Sequence, residues 1–135
     1  MTKASIVGVW RVKTPDAPFT YHMFTFHSDG TLMQSNPPAG NTSTSDTAGM
    51  GIWRTGKDDT VQARFEEYRL GFTDKTVTRG VVDFSLRLNG DTLSGSAMFT
   101  IYDAESGEQL RGPLTTVVTG SRVTFVGYTS ASMNE

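Results

Sequence analysis

His22 is the residue whose type best suits proton transfer. It stands in the run Thr20-Tyr21-His22-Met23-Phe24-Thr25-Phe26-His27. Alternation puts His22, Phe24 and Phe26 on one face and Tyr21, Met23, Thr25 and His27 on the other. A neutral imidazole among aromatic rings can act as a general base or donate to a ligand carbonyl. The plainer reading is a core histidine bonded to a neighbour. A second concentration of chemistry is Arg64-Phe65-Glu66-Glu67-Tyr68-Arg69. One face of that run carries Phe65, Glu67 and Arg69; the other carries Arg64, Glu66 and Tyr68. Either set can face inward. An inward Glu67 beside an arginine would be desolvated but paired, a combination that marks functional sites. The alternative is a solvated face of cross-strand ion pairs. His22 and Glu67 are the candidate catalytic pair.

Around them the sequence supplies an apolar lining. Gly80, Val82, Phe84, Leu86 and Leu88 alternate along one run, and Leu93, Gly95, Ala97, Phe99 and Ile101 along the next. Met33, Met50 and Ile52 are expected to join them. The candidate ligand contacts are Phe24, Phe26, Met33, Met50, Phe65, Phe84, Ala97 and Phe99. Gly80, Gly95 and Ala97 either leave volume open or serve strand curvature.

Other chemistries lack their residues. There is no cysteine, which removes thiolate metal sites, disulfides and a thiol nucleophile. His22 and His27 lie on opposite faces of one strand, so no metal site is expected. Gly49-Met50-Gly51 is a weak phosphate-loop signal with no helix after it. No serine elbow is present, and no cofactor is expected.

The elements that position these residues are strands. Alternating runs cover residues 6–13, 20–27, 31–35, 49–54, 60–72, 76–88, 91–102 and about 113–125. Asp29-Gly30 and Asn89-Gly90 read as hairpin turns. Asn36 to Ala48, rich in Pro, Ser, Thr and Asn, reads as one long loop and a mobile flap. About eight strands joined by short turns predict an all-β fold. The specific expectation is a single closed antiparallel up-and-down barrel, which removes exposed edges and encloses one small ligand. One barrel domain is expected over 1–126, with a polar tail over 127–135.

Charge and length agree with that class. The chain has 135 residues and a net charge of −2, with Lys and Arg scattered. No nucleic-acid partner is expected. The N-terminus carries no long apolar stretch, and no window approaches the ~20 apolar residues of a spanning helix. A soluble cytoplasmic protein without a membrane partner is the expectation, a homodimer being left open.

Gly8-Val9-Trp10 in the first strand resembles the calycin group: lipocalins, fatty-acid-binding proteins, avidins and nitrobindins. In those families the tryptophan plugs one barrel end and a basic residue of the last strand lies across its ring. The resemblance gives that role here to Trp10 and Arg122. Gly51-Ile52-Trp53-Arg54, a turn and Thr60-Val61 look like the middle hairpin of a nitrobindin-like or small bacterial lipocalin-like domain. The departures limit what carries over. Residues Thr14 to Phe19 leave no room for a helical lid. Both histidines lie in the second strand, so haem binding is not implied, and two tryptophans are too few for an avidin-like cage.

The resulting expectation is a barrel that binds a small apolar or aromatic metabolite in its lumen, uncharged and touched by His22. The alternative is a cyclase or isomerase of a polyketide- or terpenoid-like substrate on the same scaffold. A third reading is an interaction module with a filled barrel.

Overall fold

Period-two runs fold here as strands whose apolar phase faces one way. The computed structural model describes residues 5–17, 20–35 and 44–125. Among these there are nine strands and no helix. They are β1 (Gly8–Lys13), β2 (Tyr21–Phe26), β3 (Thr31–Gln34), β4 (Thr44–Asp46), β5 (Gly49–Thr55), β6 (Thr60–Gly71), β7 (Val77–Asn89), β8 (Thr92–Asp103) and β9 (Gln109–Arg122). Every pairing is antiparallel, and the ring runs β1-β2-β3-β5-β6-β7-β8-β9 and back to β1. The fold is therefore a closed eight-stranded up-and-down barrel, with β4 as an extra strand paired to β6.

Two strands differ from the sequence expectation. Thr44–Asp46 is a strand, although the whole stretch from Asn36 to Ala48 reads as loop. It continues the line of β5 along β6: Asp46 faces Arg69 and Met50 faces Glu66, so one extra residue bulges between them. The rest of the expected flap, 36–43, lies outside the described residues, as does the tail 127–135. The last strand starts at Gln109, ahead of Pro113. A register shift between Phe99 and Ile101 absorbs the proline, which has no N–H to give the ladder.

The turns also shift slightly. His27 O accepts from Gly30 N, and only Gly30 takes a positive φ. The Ser28-Asp29-Gly30 loop is thus a type I turn closed by a glycine bulge. In the β7–β8 hairpin Asn89 pairs with Thr92, which leaves Gly90-Asp91 as the two-residue turn.

Register fixes which side chains are inside. Trp10 pairs with Phe24, Phe24 with Gln34, Gly51 with Phe65, Phe65 with Val82 and Val82 with Phe99, and paired residues share a face. At one end Trp10 is fully buried, and its Nε1 donates to Ile6 O at 2.8 Å. Arg122 Cζ lies 4.4 Å from the Trp10 ring centroid, and its guanidinium donates to Val7 O and to Asp91. This end is plugged. Above it Phe24, Phe65 and Phe84 meet at centroid distances of 5.4 to 5.9 Å and fill the lumen's middle.

Candidate functional site

Beyond the phenylalanine layer the inner wall turns polar. The β6 alternation Val61, Ala63, Phe65 carries its phase on to Glu67 and Arg69, so both face inward and are buried. Asp46 joins them because β4 pairs with β6 at Arg69. Arg69 Nε lies 3.4 Å from Asp46 Oδ1 and 3.9 Å from Glu67 Oε1. Arg69 also sits over the Phe99 ring, its Cζ 5.2 Å from the centroid. The opposite set, Arg64, Glu66 and Tyr68, faces outward. There Arg64 chelates Asp83 at 2.6 and 3.1 Å, and Arg79 donates to Glu66 at 2.8 Å. The Asp83 carboxylate holds the Arg64 guanidinium above its ordinary pKa, chiefly through that hydrogen bond.

His22 is on the inner face, opposite Val12 of β1 and on the same side as Phe24. Gln34 orients it. The Gln34 Nε2 group lies 2.6 Å from the Ser35 carbonyl and 2.7 Å from His22 Nδ1. A carbonyl only accepts, so the amide nitrogen must face it and donate. The second N–H of that amide then reaches His22 Nδ1, which must accept. In that arrangement the imidazole proton sits on Nε2. A longer 3.4 Å approach of Nδ1 to Ser35 O would need the opposite tautomer, and the 2.7 Å contact prevails.

Two further polar groups belong to this end. Thr14 follows Trp10 and Val12 on the inner face, its N–H bonded to Thr20 O. It is 5% exposed, and its Oγ1 has no hydrogen-bond partner among the described residues. Thr116, inward on β9, donates to Asp16 of the β1–β2 connection at 3.3 Å.

Most expected contacts lie on the inner face: Phe24, Phe26, Phe65, Phe84, Ala97 and Phe99. Met33 and Met50 do not. They face each other on the outer wall, 41% and 61% exposed, because Leu32, Gln34, Gly49 and Gly51 hold the inward phase. Ile52 is outward for the same reason. The glycines do not mark open volume. A Cβ at Gly95 would lie 2.0 Å from Ser85 O, so this glycine allows close backbone approach. One at Gly80 would meet the Phe99 ring at 3.2 Å and Glu67 Cγ at 3.4 Å, so the space over Gly80 already holds the site's own side chains.

No protein-family model, curated protein or solved structure matches the chain. The barrel therefore rests on the chain's own strand order. Among the described residues no group of His, Asp and Glu is arranged to hold a metal ion. The described residues contain no helix long and apolar enough to cross a membrane. A surface depression of about 770 Å³ lies along β1, β2 and β9, with Arg11, Lys13, Tyr21, Met23 and Thr119 among its lining. Its charged groups are cations of the outer wall, with Lys13 over Tyr21. The buried charges belong to the lumen.

Proposed function

We propose that this calycin-like barrel binds a small apolar or aromatic molecule in the upper half of its lumen, above the phenylalanine layer. One observation carries the reading. Glu67 and Arg69 are buried on the inner wall directly beyond an aromatic layer, with the half-buried Asp46 beside them, at the end away from the Trp10 plug. Buried charges are poor contributors to stability, and well-packed apolar residues would serve a filled core as well or better. An aromatic floor with a few placed polar groups is the usual composition of a small-molecule site. Phe84, Phe65 and Phe99 supply the floor; His22 and the β6 charges supply the polar contacts.

A second reading, a cyclase or isomerase, is favoured by one pairing. His22 presents an Nε2 proton donor and Glu67 a carboxylate, both on the inner wall of the same end. Proton transfer between such groups and a bound, folded substrate suits a site that otherwise acts by shape.

The test uses N-phenyl-1-naphthylamine, an uncharged fluorescent probe. Wild-type protein should bind one probe per barrel with saturable fluorescence. Thr116→Trp should abolish that signal while circular dichroism and the unfolding midpoint stay unchanged. Absence of binding to the wild type, or equal binding by both proteins, would exclude the lumen as a ligand site.

A further inference from the structure

We infer that the depression over β1, β2 and β9 is a second binding site, for the phosphate monoester of an aromatic or heterocyclic molecule. It is on the outer wall and stands apart from the lumen reading above. The depression spans about 770 Å³, the size of a small-molecule site. Its floor is a grid of six outward residues on three neighbouring strands. Lys13 stands between Tyr21 and Thr119, and two residues back along β1 Arg11 stands between Met23 and Ser121. Cross-strand neighbours are about 5 Å apart and alternate residues of one strand about 7 Å, so one small anion can reach both cations.

No carboxylate faces these two cations. On the far side of the outer wall Arg64 pairs with Asp83 and Arg79 with Glu66. Here Arg11 donates to neutral oxygens, Ser121 Oγ at 3.2 Å and Arg122 O at 3.3 Å, and Lys13 Nζ lies 5.9 Å from the Tyr21 ring centroid. Among the described residues, the outward positions of β8, β9, β1, β2 and β3 hold no Asp or Glu. Acids of the adjoining connections are engaged: Asp16 accepts from Thr116, Asp29 from Thr31 and Asp91 from Arg122. Glu105 and Glu108 lie beyond Asp103, nine residues along β8 from Ser94, the partner of Thr119. That is about 30 Å of strand. Outside the described residues the one acidic side chain is Glu135.

The polar lining donates. Ammonium and guanidinium groups carry donors and no acceptor. Ser121 Oγ accepts from Arg11, which leaves its O–H to donate, and Thr119 adds a second hydroxyl. Two cations with hydroxyls beside them exceed what one carboxylate uses. A phosphate monoester brings nearly two negative charges and three acceptor oxygens. Tyr21 and Met23 set the body of that ester. They are 64% and 44% exposed in the same depression. An exposed ring with a methionine beside it gives a flat molecule a stacking surface. Lys13 is already at that ring, so a ligand stacked there has its phosphate beside the ammonium.

Calorimetry with 1-naphthyl phosphate tests this on the wild type and on Thr116→Trp, which blocks the lumen. Both should bind one ester per chain with the same affinity. The ester should bind about tenfold or more tighter than 1-naphthol, the scale of one charge-assisted hydrogen bond. 1-Naphthaleneacetic acid and inorganic phosphate should each bind more weakly than the ester, and added salt should weaken it. Arg11→Gln and Lys13→Gln, at exposed positions, should each lower its affinity about threefold, and the double variant about tenfold. Arg54→Gln, an outer-wall cation on β5, should leave it unchanged. Absence of ester binding, or equal binding of ester and naphthol, would overturn the proposal. So would an acid or inorganic phosphate that binds as tightly as the ester, or an equal loss in Arg54→Gln. Loss of binding in Thr116→Trp would place the ester in the lumen instead, and tighter binding by Glu135→Gln would make the chain's own tail the occupant. Either result would also overturn it.

Discussion

Single side chains decide each end of this barrel. Trp10 fills the plugged end, anchored by its own N–H to Ile6 O and covered by Arg122. Truncation there should be expensive: Trp10→Ala is expected to cost roughly 3–5 kcal/mol in a urea titration followed by ellipticity. A loss below about 1 kcal/mol, the ordinary size of a point change, would mean the ring does not close the barrel. At the other end Gln34 acts on His22 rather than on a ligand. Its amide is oriented by the Ser35 carbonyl and in turn selects the imidazole tautomer. His22 could be singled out from sequence because two phenylalanines share its face. Gln34 could not, since nothing in Thr31-Leu32-Met33-Gln34 shows that the residue opposite Phe24 would be an amide directed at an imidazole.

At the scale of elements, the strands were legible because their alternation is clear and their turns are short. The inward phase was legible only where one face is plainly apolar. Around Met50 it was not: Gly49, Gly51, Met50 and Ile52 give neither face a polar mark, so Met33 and Met50 read as lining and stand outside. In β6 both faces carry charge near Arg64 to Arg69. The apolar phase of Val61, Ala63 and Phe65 was the available signal for Glu67 and Arg69 as inward residues. Asp46 was hidden in a Ser- and Thr-rich stretch that reads as loop and becomes inward only through its pairing to β6. The turns carry their own prediction. Asp29, Asp74 and Asp103 each accept from residues just beyond them, and their pKa values are lowered, foremost by the Thr31 hydroxyl, the Thr76 amide and the Ser106 amide respectively. A carboxylate held lower in the folded state than in the unfolded one stabilises above its ordinary pKa. That contribution disappears as pH falls through the lowered folded value. All three are solvent-exposed, so the effect is modest. Replacing the three aspartates together by asparagine should flatten the fall in urea midpoint between about pH 5 and about pH 2. An unchanged slope would show that these turns do not contribute to acid sensitivity.

Over the whole molecule, closure has a cost in time. The seam pairs Trp10 with Arg122 and Lys13 with Thr119, so the first strand finds its second neighbour only in the last. Each other junction of the ring joins strands adjacent or nearly adjacent in sequence. During synthesis the edge of β1 away from β2 therefore stays open until about residue 122 has cleared the ribosome, exposing backbone donors to other nascent chains. Pairings of such separation are slow to form, because a long loop must close before its contacts repay it. A chain stalled with residue 108 at the tunnel mouth should remain open to protease, and one extended past Arg122 should become resistant. Early resistance would mean the first strands hold together without the seam. The seam that leaves the finished barrel with no free edge in its ring also makes it vulnerable as a nascent chain, when β1 and β8 can each pair with the same strand of a neighbouring copy.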